Sequence, residues 1–103
     1  MIMKSVDEML VNDEFARHVG IKVLRVDHGY AEVEMPVRDH HLNALKTVHG
    51  GAIFTLADYA FALACNSAAS PSVSLAASIN HLRPGMPGTT LTARAKELST
   101  TGR

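Results

Sequence analysis

The sequence predicts an α+β fold in which an antiparallel sheet packs on one long apolar helix. Three observations carry this. From Thr47 to Leu82 the sole Asp, Glu, Lys or Arg is Asp58, so the stretch from Gly50 or Gly51 to Asn66 reads as a helix apolar on nearly every face, and such a helix is normally buried. Two segments before it and two after it read as strands, three of them with the period-two alternation of half-buried strands. The order is helix, β, β, long helix, β, β, which is not the alternation of a doubly wound parallel sheet.

The chain has 103 residues, room for a single domain over 1–103, and its 47% apolar content supports a real core. Ser5-Val6-Asp7-Glu8 is a capping box that opens a short helix lined by Val6, Met9 and Leu10. Asn12 or Asp13 caps a second short helix through Phe15 and Ala16, and Gly20 closes it in the left-handed conformation. Ile21 to Val26 is rich in β-branched residues, Asp27-His28-Gly29 is a turn, and Tyr30 to Pro36 alternates Ala31, Val33 and Met35 against Glu32 and Glu34. Together they predict a β-hairpin. Val37 to Val48 is a polar loop without period, and polar loops that lead into scaffold helices often carry function.

After the long helix, Ser70-Pro71-Ser72 is a break, and Val73 to His81 alternates as a strand. Arg83 to Gly88 is a turn rich in proline and glycine, and Leu91, Ala93 and Ala95 alternate with Thr92, Arg94 and Lys96 in a last strand. One sheet face covers only part of an all-apolar helix. A curling sheet or a second subunit must cover the rest, so an oligomer is expected.

Composition narrows function. Ten basic and ten acidic residues cancel, and no Lys/Arg-rich run is present, which argues against a nucleic-acid partner. The apolar helix is about 17 residues long and contains Asp58, where a spanning helix wants about 20, so no membrane partner is expected. Residues 1–10 do not read as a signal peptide. A lone Cys65, expected to be a buried packing residue, builds no disulfide and suits a cytoplasmic location. No G-x-S-x-G, C-x-x-C, Walker A or G-x-G-x-x-G pattern occurs. His40, His41 and His49 match no metal-ligand spacing, so no metal is expected. His81 reads as a core histidine, His18 and His28 as surface residues.

The remaining constellation is Asn43, His49-Gly50-Gly51 and Asp58. Two glycines at a helix start let a ligand approach backbone N–H groups that lack helical partners, at the positive end of the helix dipole. Such donors suit an oxygen that becomes negative during reaction. The same glycines also fit relief of crowding against a strand. Asp58 fits either a catalytic carboxylate or a structural one that holds loop N–H groups. His49 fits a helix cap as well as a catalyst. Phe54, Tyr59 and Phe61 fit a pocket lining or plain core.

The run His41-Leu42-Asn43-Ala44-Leu45-Lys46-Thr47-Val48-His49-Gly50-Gly51-Ala52-Ile53-Phe54-Thr55-Leu56-Ala57-Asp58 resembles the signature of hotdog-fold acyl-CoA thioesterases, of the phenylacetic-acid-degradation type in the 4-hydroxybenzoyl-CoA thioesterase-like superfamily. Asn66-Ser67 and Ile79 to Gly85 are similar to that family as well. The resemblance implies a hotdog fold, a sheet wrapped round the long helix. It implies hydrolysis of a (possibly aryl) acyl-CoA to CoA and a carboxylic acid, without cofactor or metal. Asp58 would be the catalytic carboxylate, the Gly50 N–H would polarise the carbonyl, and Asn43 would help place carbonyl or water. His49, Gly51, Phe54 and Arg83 would contact substrate or support the loop. It further implies a homodimer or homotetramer whose site joins the helix start of one subunit to the carboxylate of the other. Relatives often carry glycine at the position of Lys46, and they continue past Gly102-Arg103 with two more strands, so the domain is expected to be incomplete at its C-terminal end. An acyl-thioester hydratase or dehydratase, or a non-catalytic acyl-CoA-binding module, are the alternatives.

Overall fold

The computed structural model of the chain describes residues 8–67, 73–80 and 86–100. The Ser5 cap, the Ser70-Pro71-Ser72 break, His81, Arg83 and Gly102-Arg103 lie outside the described residues. The elements are α1 (Glu14–Val19), β1 (Lys22–Asp27), β2 (Tyr30–Pro36), a 3-10 turn (Asp39–His41), α2 (Gly50–Ser67), β3 (Val73–Asn80) and β4 (Thr90–Thr100). Residues 8–12 are also helical. The strands form one antiparallel sheet in the order β1-β2-β4-β3.

Local chemistry accounts for these boundaries. Asp13 caps α1 by accepting the Ala16 N–H at 3.0 Å, and Gly20 ends it at φ 92°. The β1–β2 hairpin turns at Gly29, whose φ is 71°. A register shift between Val23 and Arg25 makes a bulge that leaves Leu24 exposed. In β2 the predicted alternation holds: Ala31, Val33 and Met35 are fully buried. Leu91, Ala93 and Ala95 of β4 point to the same core. That strand runs on past Lys96 to Thr100, farther than its alternation predicts. Gly88, at φ 87°, follows Pro87 in the turn before β4, and Thr89 N–H closes it on Met86 O at 3.2 Å.

The long helix departs from expectation in one respect that matters for function. It is not buried on all faces. Leu56, Tyr59, Ala60, Leu63, Ala64 and Ser67 face the sheet. Gly51, Phe54, Asp58 and Phe61, at helical spacing, face outward. Phe54 is 71% exposed and Phe61 43%. Cys65 is half-buried beside that outward stripe rather than a core residue. Tyr59 goes to the core, its hydroxyl 3.5 Å from Met9 O, and burial pushes its phenol above the ordinary tyrosine value, with the Asp13 charge adding to the rise.

Ser67 fastens the end of α2 to the hairpin. Its buried Oγ accepts the Gly29 N–H at 3.0 Å and lies 2.7 Å from Asp27 O and 2.8 Å from Ala64 O, either of which takes its proton. At the other end, the expected loop contains the 3-10 turn and is pinched by a Leu42–Val48 bridge. Within the pinch Lys46 takes φ 68°, the left-handed region that favours glycine.

Two substitutions test this local account. Ser67→Ala strands the buried Gly29 N–H and is expected to cost about 1–3 kcal/mol in urea unfolding; a loss below ~0.5 kcal/mol would contradict the fastening role. Lys46→Gly removes a left-handed penalty of about 1–2 kcal/mol against a glycine entropy cost of about 0.5–1 kcal/mol. A gain of about 0.5–1 kcal/mol and a melting temperature several degrees higher are expected, and a lower melting temperature would refute the strain assignment.

Candidate active site

The start of α2 is built by His49. Its N–H donates to His41 O at 2.7 Å, which ties the helix start to the 3-10 turn. Its carbonyl accepts Ala52 N–H at 3.0 Å and Ile53 N–H at 3.3 Å. Its Nδ1 accepts the Gly51 N–H at 3.0 Å. His49 is thus the helix cap, a role usually taken by Ser, Thr, Asp or Asn. Of the first-turn donors, Gly51, Ala52 and Ile53 are taken. Among the described residues nothing accepts the Gly50 N–H, and it lies at the positive end of an 18-residue helix. Gly51, expected to contact substrate, gives its N–H to His49 and borders the cavity beside the helix start.

The glycines also separate two readings that the sequence left open. A Cβ built on Gly50 would meet nothing within 4 Å among the described residues. Gly50 does not have positive φ either. Among the described residues, crowding against a strand is therefore not what calls for glycine there. At Gly51 a Cβ would come 3.3 Å from His49 Nδ1, so that glycine serves the cap.

Asn43 organises the loop. Its Oδ1 accepts the N–H groups of Leu45 at 2.9 Å and Thr47 at 3.1 Å, and its Nδ2 donates to Thr47 Oγ1 at 3.0 Å. The side-chain oxygen is committed, and one Nδ2 proton remains. Asp58 is exposed, and its carboxylate takes no hydrogen bond among the described residues. The expectation of a carboxylate buried within its own chain is thus corrected, and so is that of a structural one holding loop N–H groups. Asp58 stands eight residues beyond Gly50, about 12 Å along the axis. The two cannot act on one carbonyl from the same chain.

Beside the helix start lies an open-sided cavity of about 430 Å³, walled by Phe15 and Val19 from α1, His40 and Leu42 from the turn, and Ala52 and Thr55 from α2. Phe54 does not line it. His18, His41 and His49 also border it, yet no three His, Cys, Asp or Glu groups are placed to hold a metal among the described residues. His41 is the residue that sequence reasoning undervalued. It is 3% exposed, with Nδ1 accepting Arg38 N–H at 2.9 Å and Nε2 bonded to Val19 O at 2.5 Å. Its position after the hairpin in a charged loop carried no signal of burial.

The family model for the thioesterase superfamily matches residues 45–103, which include the helix cap and Asp58. The chain is 47% identical over 88 residues to the acyl-coenzyme A thioesterase PaaI of Escherichia coli K12, a match that covers 85% of this chain and 63% of the relative. The structure resembles that of the E. coli PaaI protein from the phenylacetic acid degradation operon, with a TM-score of 0.68, 44% identity and coverage of 91% of this chain and 72% of the other. It also resembles the TT0310 protein of Thermus thermophilus, with a TM-score of 0.74, 41% identity and coverage of 89% and 78%. The chain spans 55–64% of the length of the relatives matched by sequence. Its sheet laid on one long helix is the hotdog arrangement, and the chain belongs to the thioesterase superfamily.

Proposed function

We propose that the protein hydrolyses acyl-CoA thioesters to CoA and a carboxylic acid, at a site shared between two copies of the chain. The observation that carries this is the Gly50 N–H at the capped start of α2, which has no acceptor among the described residues, on a glycine whose missing Cβ their packing does not require. The 47% identity to an acyl-CoA thioesterase supports it.

In this reading the thioester carbonyl oxygen accepts the Gly50 N–H, and the helix dipole stabilises the negative charge that develops on it. Asp58 from a partner copy either takes a proton from water as the water oxygen bonds to the acyl carbon, and passes that proton to the CoA sulfur as the C–S bond breaks, or attacks the carbon itself and displaces the thiolate. In the second case water then opens the mixed anhydride, which frees the acid and Asp58, and one of the water's protons goes to the thiolate. Asn43 keeps one Nδ2 proton with which to orient the carbonyl or the water. No metal or cofactor is required for these steps.

Two features support the pairing. Asp58 and Gly50 are too far apart within one chain, and the outward stripe of α2 presents Phe54 and Phe61 on either side of Asp58. Exposed aromatics at helical spacing gain most by burial against another apolar face. A homodimer joined along α2, or a pair of such dimers, brings each Asp58 to another chain's helix start. A cytoplasmic location suits a CoA-dependent reaction. Among the described residues no helix is long and apolar enough to cross a membrane.

Thiol release from acyl-CoA tests the reading. Asp58→Asn is expected to lower kcat by roughly 10²–10⁴-fold; equal hydrolysis by wild type and variant would sink the assignment. Gly50→Ala keeps the N–H but places a Cβ in the carbonyl's path. It is expected to abolish turnover while leaving stability unchanged or higher by up to about 1 kcal/mol. Mixing the two inactive variants with subunit exchange is expected to restore about a quarter of wild-type sites, because a symmetric mixed dimer rebuilds one intact site. No recovery would place both groups in one chain. In a single turnover in ¹⁸O water, label in Asp58 marks it as the nucleophile.

A further inference from the structure

The reaction above leaves one buried imidazole without a task. His41 makes three hydrogen bonds, one of them to a segment 22 residues away. Its Nδ1 accepts Arg38 N–H at 2.9 Å, its Nε2 donates to Val19 O at 2.5 Å, and its carbonyl accepts His49 N–H at 2.7 Å. One ring nitrogen accepts and the other donates, which fits the neutral Nε2–H tautomer. The Val19 carbonyl belongs to the last turn of α1, where helix carbonyls lack partners along the helix. His41 therefore joins the end of α1 to the turn that positions the start of α2.

The helix it joins is lightly held. Only Ala16 of α1 is buried, and Phe15 is 61% exposed. Yet α1 supplies Phe15, His18 and Val19 to the cavity beside His49 and Gly51. A volume of about 430 Å³ is in the range of small-molecule sites. Phe15, Val19, Leu42 and Ala52 give it apolar surface, where each methylene buried is worth roughly fourfold in affinity. His49 and Gly51, the residues on either side of Gly50, line the cavity, so under the thioesterase reading a group bound there lies close to a carbonyl held at the helix start.

We propose that α1 is a docked wall of the acyl pocket, and that His41 is the positioning residue that docks it. Through that contact His41 and Phe15 set which acyl groups the site accepts. The inference rests on the thioesterase reading for its substrate class, while the pocket itself is testable without turnover.

The experiment compares phenylacetyl-CoA with acetyl-CoA in wild type, Phe15→Ala, His41→Leu and His41→Gln. The ratio of their kcat/KM values is expected to fall at least tenfold in Phe15→Ala and His41→Leu, chiefly through KM for the aryl substrate. His41→Gln, whose amide can still donate to Val19 O, is expected to recover most of it. Amide hydrogen exchange of residues 14–21 is expected to quicken in His41→Leu and not in Phe15→Ala. In parallel, binding of the non-hydrolysable phenylethyl-CoA thioether is measured against CoA itself. If wild type binds the thioether more tightly and Phe15→Ala removes the preference, the pocket stands even where no ester is hydrolysed, and only the hydrolase reading fails. An unchanged ratio in Phe15→Ala, an equal loss on both substrates in His41→Leu without rescue by Gln, or no thioether preference in wild type overturns the proposal.

Discussion

One geometric constraint governs this molecule: a helix that is apolar nearly all round has a sheet on one side only. Leu56, Ala60, Leu63 and Ala64 meet Ala31, Val33, Met35, Leu91, Ala93 and Ala95. The small residues among these let helix and sheet approach closely, and the larger ones fill the space between. The opposite stripe, Gly51, Phe54, Asp58 and Phe61, has no cover among the described residues. A carboxylate on that stripe is hydrated in the single chain and needs no partner. The feature that looks most anomalous in the sequence is therefore cheap for the single chain, and its cost arises only where something covers the stripe.

The two ends of the same helix are fastened by different chemistry. At the C-terminal end Ser67 exchanges hydrogen bonds with the β1–β2 turn, a purely structural tie. At the N-terminal end His49 uses its ring nitrogen and its carbonyl to occupy the donors of Gly51, Ala52 and Ile53. A serine or aspartate cap would satisfy the same donors. The imidazole does so while also presenting its ring to the cavity. What remains is one N–H on a residue without a side chain, at the point where the helix dipole is strongest. In the proposed enzyme, selecting one donor out of four, rather than offering all of them, would fix where a carbonyl oxygen sits.

Most of the fold is legible in the sequence, because period-two alternation and an uncharged run each have a single simple solution. Asp13, Gly20, Gly29 and Gly88 mark their caps and turns by chemistry local to a few residues. The site is legible in its parts, not in its arrangement. Spacing shows that Gly50 and Asp58 share a helix, but not that Asp58 faces away from its own sheet, since every neighbouring side chain is apolar and the pattern has no polar face to orient it. Asn43 reads as a residue that places carbonyl or water, and only its bonds to Leu45 and Thr47 show that its oxygen is spent on the loop. His41 escaped notice because its partners, Val19 and Arg38, are backbone groups, which any residue offers and no motif records.

That Asp58 is exposed in the single chain bears on the order of events in the proposed enzyme. Water solvates an exposed carboxylate well, and a well-solvated carboxylate is a poor base and a poor nucleophile. Covering Phe54 and Phe61 with a partner's apolar surface removes water from their neighbourhood, and a carboxylate between them is then held where hydrogen bonds to water are few. Under the proposed pairing, the surface that drives association is thus the surface that activates the catalytic group. It also brings that group to a second chain's free Gly50 N–H. Association and catalysis would then share one physical cause, the removal of water from the outward face of α2. A single chain would lack both halves of the site: the reach to the carbonyl, and the dry surroundings that make a carboxylate reactive.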